Sequence, residues 1–320
     1  ILGAPALPLP ATPTRLSLYI YIRYMKKYTI VGIGELLFDV FPDRKALGGA
    51  PTNFAYHCQQ LGHEAYSISA IGRDALGAEI KDQLHTRGLQ TILQENEHPT
   101  GTVLVTLSEG GVPSYEISEG VAWDYIEYTD QLEALARRTD AVCFGSLAQR
   151  SPRSASTIQR FLEAMPTGSL RIFDINIRLH YYTYEIVHAS LEHADLLKLN
   201  DEEVPILGQL LGLEGSMEEI CRAILERYAL QAVILTRGAD GCNIYHPKGS
   251  VYHPSARVKI ADTVGAGDSF TAGFVSALLA GRCLLEAVAL ATRVAAFVCS
   301  HHGAMPTLPE EYKEYLEERD

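Results

Sequence analysis

Asp262-Thr263-Val264-Gly265-Ala266-Gly267-Asp268-Ser269-Phe270 joins a glycine-hinged turn to an apolar helix and plants a carboxylate at the junction. Gly265 and Gly267 let the backbone approach a ligand closely. The first amides of a helix lack intrahelical partners and sit at the positive end of its dipole, so this turn is suited to a phosphate. A carboxylate beside a bound phosphate would repel it. Asp268 makes chemical sense if it faces a second ligand's hydroxyl and accepts its proton during attack, which is phosphoryl-transfer chemistry. A competing reading is that Asp268 or Ser269 merely caps the helix, where both residue types are favoured.

The helix that positions this corner is easily read. Phe270, Phe274 and Leu278 recur every four residues, Ala272, Ala277 and Ala280 fill the gaps, and Gly281 stops it. A second glycine corner, Gly48-Gly49-Ala50-Pro51-Thr52-Asn53-Phe54-Ala55, leads into a helix running to about Leu61-Gly62. Together the two stretches resemble the ribokinase-like (PfkB) carbohydrate kinases: D-T-x-G-A-G-D at one end of the site, and G-G-x-x-x-N-x-A followed by L-G at the other. The form G-G-A-P-x-N-x-A is similar to fructokinase-like members; ribokinases usually carry lysine where this chain has Ala50. Ala122-Trp123-Asp124 and Asp174-Ile175-Asn176-Ile177-Arg178 also resemble fructokinase segments.

The intervening chain supplies a frame. Tyr28 to Gly34 reads as a buried strand, but Gly32 and Gly34 lack the third glycine of a dinucleotide fingerprint, because Leu37 occupies its position. Ala65 to Ile71 reads as a second strand, followed by a helix to about Arg87. Thr100–Leu107 and Pro113–Ile117, around Glu109-Gly110-Gly111, read as a hairpin. From residue 129 short apolar strands alternate with helical stretches: Ala141–Phe144, Leu170–Asp174, Asp195–Asn200 and Ala232–Thr236. That rhythm predicts a parallel sheet with helices on both faces, whose binding residues collect beyond the strands' carboxyl ends. A hairpin over Cys242–His246 and Ser250–His253, a helix from about Leu284 to His302 and a charged, solvent-facing helical tail from Glu310 complete it. No G-x-x-x-x-G-K-[ST] occurs, so the phosphate site is not a Walker loop.

The resemblance implies an α/β ribokinase-like fold: a central, mostly parallel sheet between two helical layers, plus a small β-sheet lid from about residues 36–47 and 98–122 closing over a sugar. It implies ATP-dependent transfer of the γ-phosphate to a sugar hydroxymethyl group, with Asp268 as base and the amides of Gly265, Ala266 and Gly267 on the phosphate. Asp39, Gly49 and Asn53 would contact sugar hydroxyls, Trp123 would line the lid, and Arg178 would lie near the transferred charge. Asn176, Asn200, Glu203, Thr236, Gly238, Gly241 and Gly303 fall on the nucleotide side. Glu203 would help place magnesium through water, and a potassium ion beside Asp262 occurs in some members. Fructose is the first acceptor implied; 2-keto-3-deoxygluconate, ribose or a nucleoside are alternatives, and a non-catalytic sugar or nucleotide sensor is the competing class.

Composition bounds the rest. The 320 residues are 47% hydrophobic with a formal net charge of -12, enough for one sizeable core and unsuited to general binding of nucleic acid or anionic membranes. The six cysteines show no paired or zinc-like spacing and the eleven histidines no H-E-x-x-H, which is the pattern of reduced thiols in a cytoplasmic protein. Residues 1–24 are proline-broken and then briefly apolar, so Met25, followed by Lys26 and Lys27, is the expected natural start. A lid sheet with an exposed edge could pair with a second copy.

Overall fold

The computed structural model describes residues 27–107 and 113–317. The expected start at Met25 and the hairpin turn Glu109-Gly110-Gly111 lie outside the described residues, as do the last three of the tail. In chain order the elements are β1 Thr29–Ile33, β2 Leu37–Val40, β3 Lys45–Gly48, α1 Ala50–Gln60, β4 Glu64–Gly72, α2 Ala75–Thr86, β5 Gln90–Asn96, β6 Gly101–Leu107 and β7 Pro113–Ile117. There follow α3 Asp130–Ala136, β8 Ala141–Phe144, α4 Pro152–Ala164, β9 Leu170–Asp174, α5 Tyr184–His193, β10 Leu196–Asn200, α6 Glu203–Leu211 and α7 Met217–Arg227. The chain closes with β11 Ala232–Thr236, β12 Cys242–His246, β13 Gly249–His253, α8 Ala266–Leu279, α9 Leu284–Cys299 and α10 Glu311–Glu317.

Nine strands form one sheet in the order β13-β12-β11-β10-β9-β8-β1-β4-β5, parallel except for the β11-β12-β13 edge. Successive side chains in a strand point to opposite faces, and both faces here are covered, which is why the strands read as unbroken apolar runs. Ile30, Cys143, Ile172, Leu196 and Ile234 pack into one cluster with Phe270, Phe274 and Val288 of α8 and α9. Their neighbours Val31, Val142, Phe173, Leu197 and Val233 enter the other cluster, with Ile158 and Phe161 of α4 and Leu207 of α6.

The order of the sheet reverses at β1, which lies between β8 and β4. Such a reversal opens a crevice beyond the strands' carboxyl ends. A separate sheet, β3-β2-β6-β7, stands beside it on its own cluster of Leu36, Phe38, Leu47, Tyr56 and Ile80. The expected hairpin is the β6-β7 pair, in register Val103 with Ile117 and Val105 with Tyr115.

Two expectations need correction. Edge strand β5 was not anticipated, because its polar sequence Q-T-I-L-Q-E-N carries no alternation and its side chains are mostly half-buried. The charged tail helix α10 also does not simply face solvent. Tyr312 is buried against Phe297, and Arg293 lies 5.2 Å over its ring.

Candidate active site

Helix α8 begins at Gly265, whose φ of +77° belongs to the left-handed region that glycine adopts freely. Asp268 is therefore inside the first turn and not at the cap, and neither it nor Ser269 supplies a side-chain cap. That settles the competing reading of these residues locally. The Ser269 hydroxyl turns back to the Ala266 carbonyl, and the Asp268 carboxylate points elsewhere. It accepts a 2.8 Å hydrogen bond from Nδ2 of Asn53, which sits in the first turn of α1. The two corners singled out in sequence thus meet across 215 residues of chain.

Helix α1 comes this close because of glycine. A Cβ on Gly32 in β1 would lie 1.9 Å from the Pro51 carbonyl oxygen, and one on Gly49 would lie 2.5 Å from the Glu35 carbonyl oxygen. Gly32 is thus needed for packing, not for a dinucleotide. On the other side of the glycine turn, Lys198 Nζ lies 2.8 Å from where a Gly267 Cβ would be and 3.0 Å from Asp174 Oδ1. Thr271 donates to the other Asp174 oxygen at 3.2 Å. Burial pulls the Lys198 pKa down, yet Asp174, Glu203 and Asp268 together hold it above its ordinary value, so a cation lies beneath the loop. Sequence reading passed over Lys198; its only signal was a lysine inside an otherwise apolar strand.

Burial dominates the acids as well. It raises Asp268 from 3.8 to about 6, helped by Asp174 and opposed by Asn53, Lys198 and Arg178. Asp39 of β2 rises to about 6 by burial, opposed by Arg178. Arg178 is itself exposed, and its charge acts on Asp39, Asp268 and Glu35 together. Glu35, also unforeseen, follows β1 at the sheet's reversal. It is 3% exposed, its Oε2 has no partner, and burial with the nearby Asp268 lifts it to about 7.

Glu35 supports a stability prediction. Its folded pKa lies above the unfolded value of 4.5, so the associated stability is complete below pH 4.5 and is lost as pH rises through about 7. Glu35→Gln should therefore melt higher than wild type at pH 8, by an amount equivalent to about 1–3 kcal/mol, with the advantage fading towards pH 4.5. Thermal melts across pH 4.5–8 test this, and a gain independent of pH would refute it.

Glu203 braces the segment after β9 to the end of β10: Oε1 accepts from the Ile177 amide and Oε2 from the Asn200 amide, each at 2.8 Å. Asn200 Oδ1 accepts from the Glu203 amide at 2.9 Å, and the hydroxyl of Thr236 donates to Leu199 at 3.3 Å. Asn176 between them has a φ of +42°. Gly238 and Gly303 have positive φ and face open space, whereas a Cβ on Gly241 would strike the His253 carbonyl. Asp262 spans its own loop, accepting from Val264 at 3.0 Å and from Gly303 at 3.1 Å.

Trp123 packs beneath the small sheet, against Gly101 of β6. It is wholly buried in the core, with Arg150 stacked 4.0 Å over its ring and pinned to Asp124 by two 2.9 Å bonds. Its large apolar ring fills the space left by Gly101, where a Cβ would lie 2.3 Å from Nε1.

An anion corner without a Walker loop, an acid held across it and a second small sheet alongside define an α/β phosphotransferase. Residues 25–311 match the pfkB family carbohydrate kinase domain, and the chain belongs to that family. It is 29% identical over 313 residues to an uncharacterized sugar kinase of Pyrococcus horikoshii, covering 91% of this chain and 96% of that one. It is also 29% identical to a fructokinase of Escherichia coli, over 87% and 95% of the two chains. The structure of the Pyrococcus horikoshii protein in complex with ATP superposes with a TM-score of 0.74 at 28% identity, over 86% of this chain and 94% of that one. The protein is an ATP-dependent carbohydrate kinase.

Proposed function

We propose that this kinase phosphorylates fructose at a hydroxymethyl group, with Asp268 as the base. The observation that carries the mechanism is Asn53 Nδ2 holding Asp268 Oδ2 at 2.8 Å beside the glycine turn, which aims one carboxylate oxygen and leaves the other for a substrate hydroxyl. Asp268 takes the hydroxyl proton as the oxygen attacks the γ-phosphorus and ADP leaves. Amides at the start of α8, including those of Ala266 and Gly267, carry the developing charge; the Ala266 amide is only loosely engaged, 3.3 Å from the Thr263 carbonyl. Lys198 beneath the loop adds positive potential. Asp39, Gly49, Asn53 and Arg178 line the sugar side, and the small sheet excludes water as a lid.

Glu203 and Asn200 suit magnesium held through its own water. The Glu203 oxygens already serve backbone amides, and among the described residues no group of three acidic, histidine or cysteine side chains could hold a metal directly. Magnesium, when present, neutralises nucleotide oxygens. Thr236, Gly238, Gly241 and Gly303 form the nucleotide rim, and Asp262 braces the turn where a monovalent cation would bind. A cytoplasmic location and pairing through the lid complete the proposal.

The relatives named fructokinase and the sequence G-G-A-P-T-N-F-A support fructose. A relative named ATP-dependent 6-phosphofructokinase, 27% identical, makes the phosphorylated sugar the necessary comparison. ADP release should be measured with MgATP and fructose, fructose 6-phosphate, ribose, 2-keto-3-deoxygluconate, adenosine and inosine. A kcat/KM for fructose below that of any other acceptor would refute the assignment.

A further inference from the structure

One face of α1 reaches both halves of the phosphate corner. Asn53 holds Asp268, and one helical turn later His57, wholly buried, places Nε2 2.8 Å from the Ala304 carbonyl oxygen. A carbonyl only accepts, so Nε2 carries the proton and donates. Nδ1 is buried with no partner, and the ring is neutral, its pKa lowered to about 4 by burial against the opposing effect of the Ala304 bond. An aliphatic side chain could fill this slot without burying an unpaired nitrogen, which is costly. The donor towards Ala304 is what histidine adds.

Ala304 forms the wall behind the glycine turn. A Cβ on Gly265 would meet the Ala304 Cβ at 2.7 Å and its Cα at 2.8 Å, so the two backbones are in close packing. The same turn is tied from the loop side by Asp262, which accepts from the Gly303 amide. Residues 303 and 304 are therefore pinned twice, once by the phosphate loop and once by the helix that bears Asn53.

We propose that His57 is a positioning residue for the phosphate corner: by holding Ala304 against Gly265 it lets α1 set the height of the amides and the aim of the base together. This rests on the role given above to the amides and Asp268. Loss of the donor lets the wall retreat, and the amides then miss the transferred phosphate while sugar contacts persist.

The test compares His57→Gln with His57→Met, which match in length and shape and differ in the donor. Both are assayed by ADP release with MgATP and fructose, or the best acceptor of the panel, with circular dichroism and melting to verify folding. His57→Met should lower kcat about tenfold or more with sugar KM changed less than about threefold, since small misplacements at a reacting centre are expensive. His57→Gln should stay within about threefold of wild type on the same reasoning. Equal kcat in the two variants overturns the proposal. If neither folds, Ala304→Gly decides: a kcat loss supports the wall, and an unchanged kcat overturns it. A Gly265→Ala variant that loses activity while His57→Met does not would sink this inference alone; full activity in Gly265→Ala and Asp268→Asn would sink the site assignment beneath it.

Discussion

Asp268→Asn is expected to lower kcat about a hundred- to ten-thousandfold, the usual contribution of a positioned general base, with a much smaller change in sugar KM. The amide is nearly isosteric, and its oxygen can still accept from Asn53, so the corner keeps its shape while losing its proton acceptor. Wild-type kcat/KM should rise with pH through about 6, because burial lifts Asp268 into that range. Glu35 and Asp39 titrate in the same region, so the limb belongs to the group of acids and only the variant assigns the base. Stability should move oppositely to activity. A folded pKa above the unfolded 3.8 means stability is complete below that value and is lost as pH rises through about 6. Asp268→Asn should then gain about 2–3 kcal/mol at pH 8 relative to pH 4. Turnover within tenfold of wild type would show that another group takes the proton.

Gly265→Ala should lower kcat about a hundred- to a thousandfold, comparable with losing one aimed donor at a developing charge. The new methyl would lie 2.7–2.9 Å from Cβ, Cα and O of Ala304, and the left-handed backbone disfavours any side chain. The loop must move, and the start of α8 moves with it. Gly212→Ala is the control: its φ is also positive, but open space surrounds it and it lies outside the site, so it pays only the backbone penalty. Equal kcat losses in the two variants would mean that contact with Ala304 is irrelevant.

Much of the corner was legible because its chemistry is local. A glycine-rich turn before an apolar helix specifies a backbone shape wherever it occurs, and Asn53 belongs to a second such turn. The sheet was legible because strands covered on both faces produce apolar runs between helical stretches. What escaped depends on tertiary environment. Glu35 becomes unusual only when β1, α1 and Asp268 converge around it, and Lys198 only when Gly267 lies above it. The place of Trp123 was not legible from its type, because an aromatic side chain serves equally in a core or under a lid, and the void at Gly101 that receives it is made by another strand. The edge strand β5 escaped because side chains half-buried on both faces leave little pattern.

The span between Asn53 and Asp268 also has a consequence for biosynthesis. The sheet can be laid down outward from β1 as the chain emerges, first towards β4 and β5 and then towards β13, before α8 has been made. At roughly 5–20 residues per second, Asp268 is translated about 10–40 s after Asn53. During that interval the nascent protein has Asn53 but neither the glycine turn nor Asp268, so on the proposed mechanism it cannot spend ATP. On the proposed mechanism, catalytic competence arrives near the end of synthesis, when α8 and α9 cover the sheet face on which Ile30, Cys143, Ile172, Leu196 and Ile234 lie.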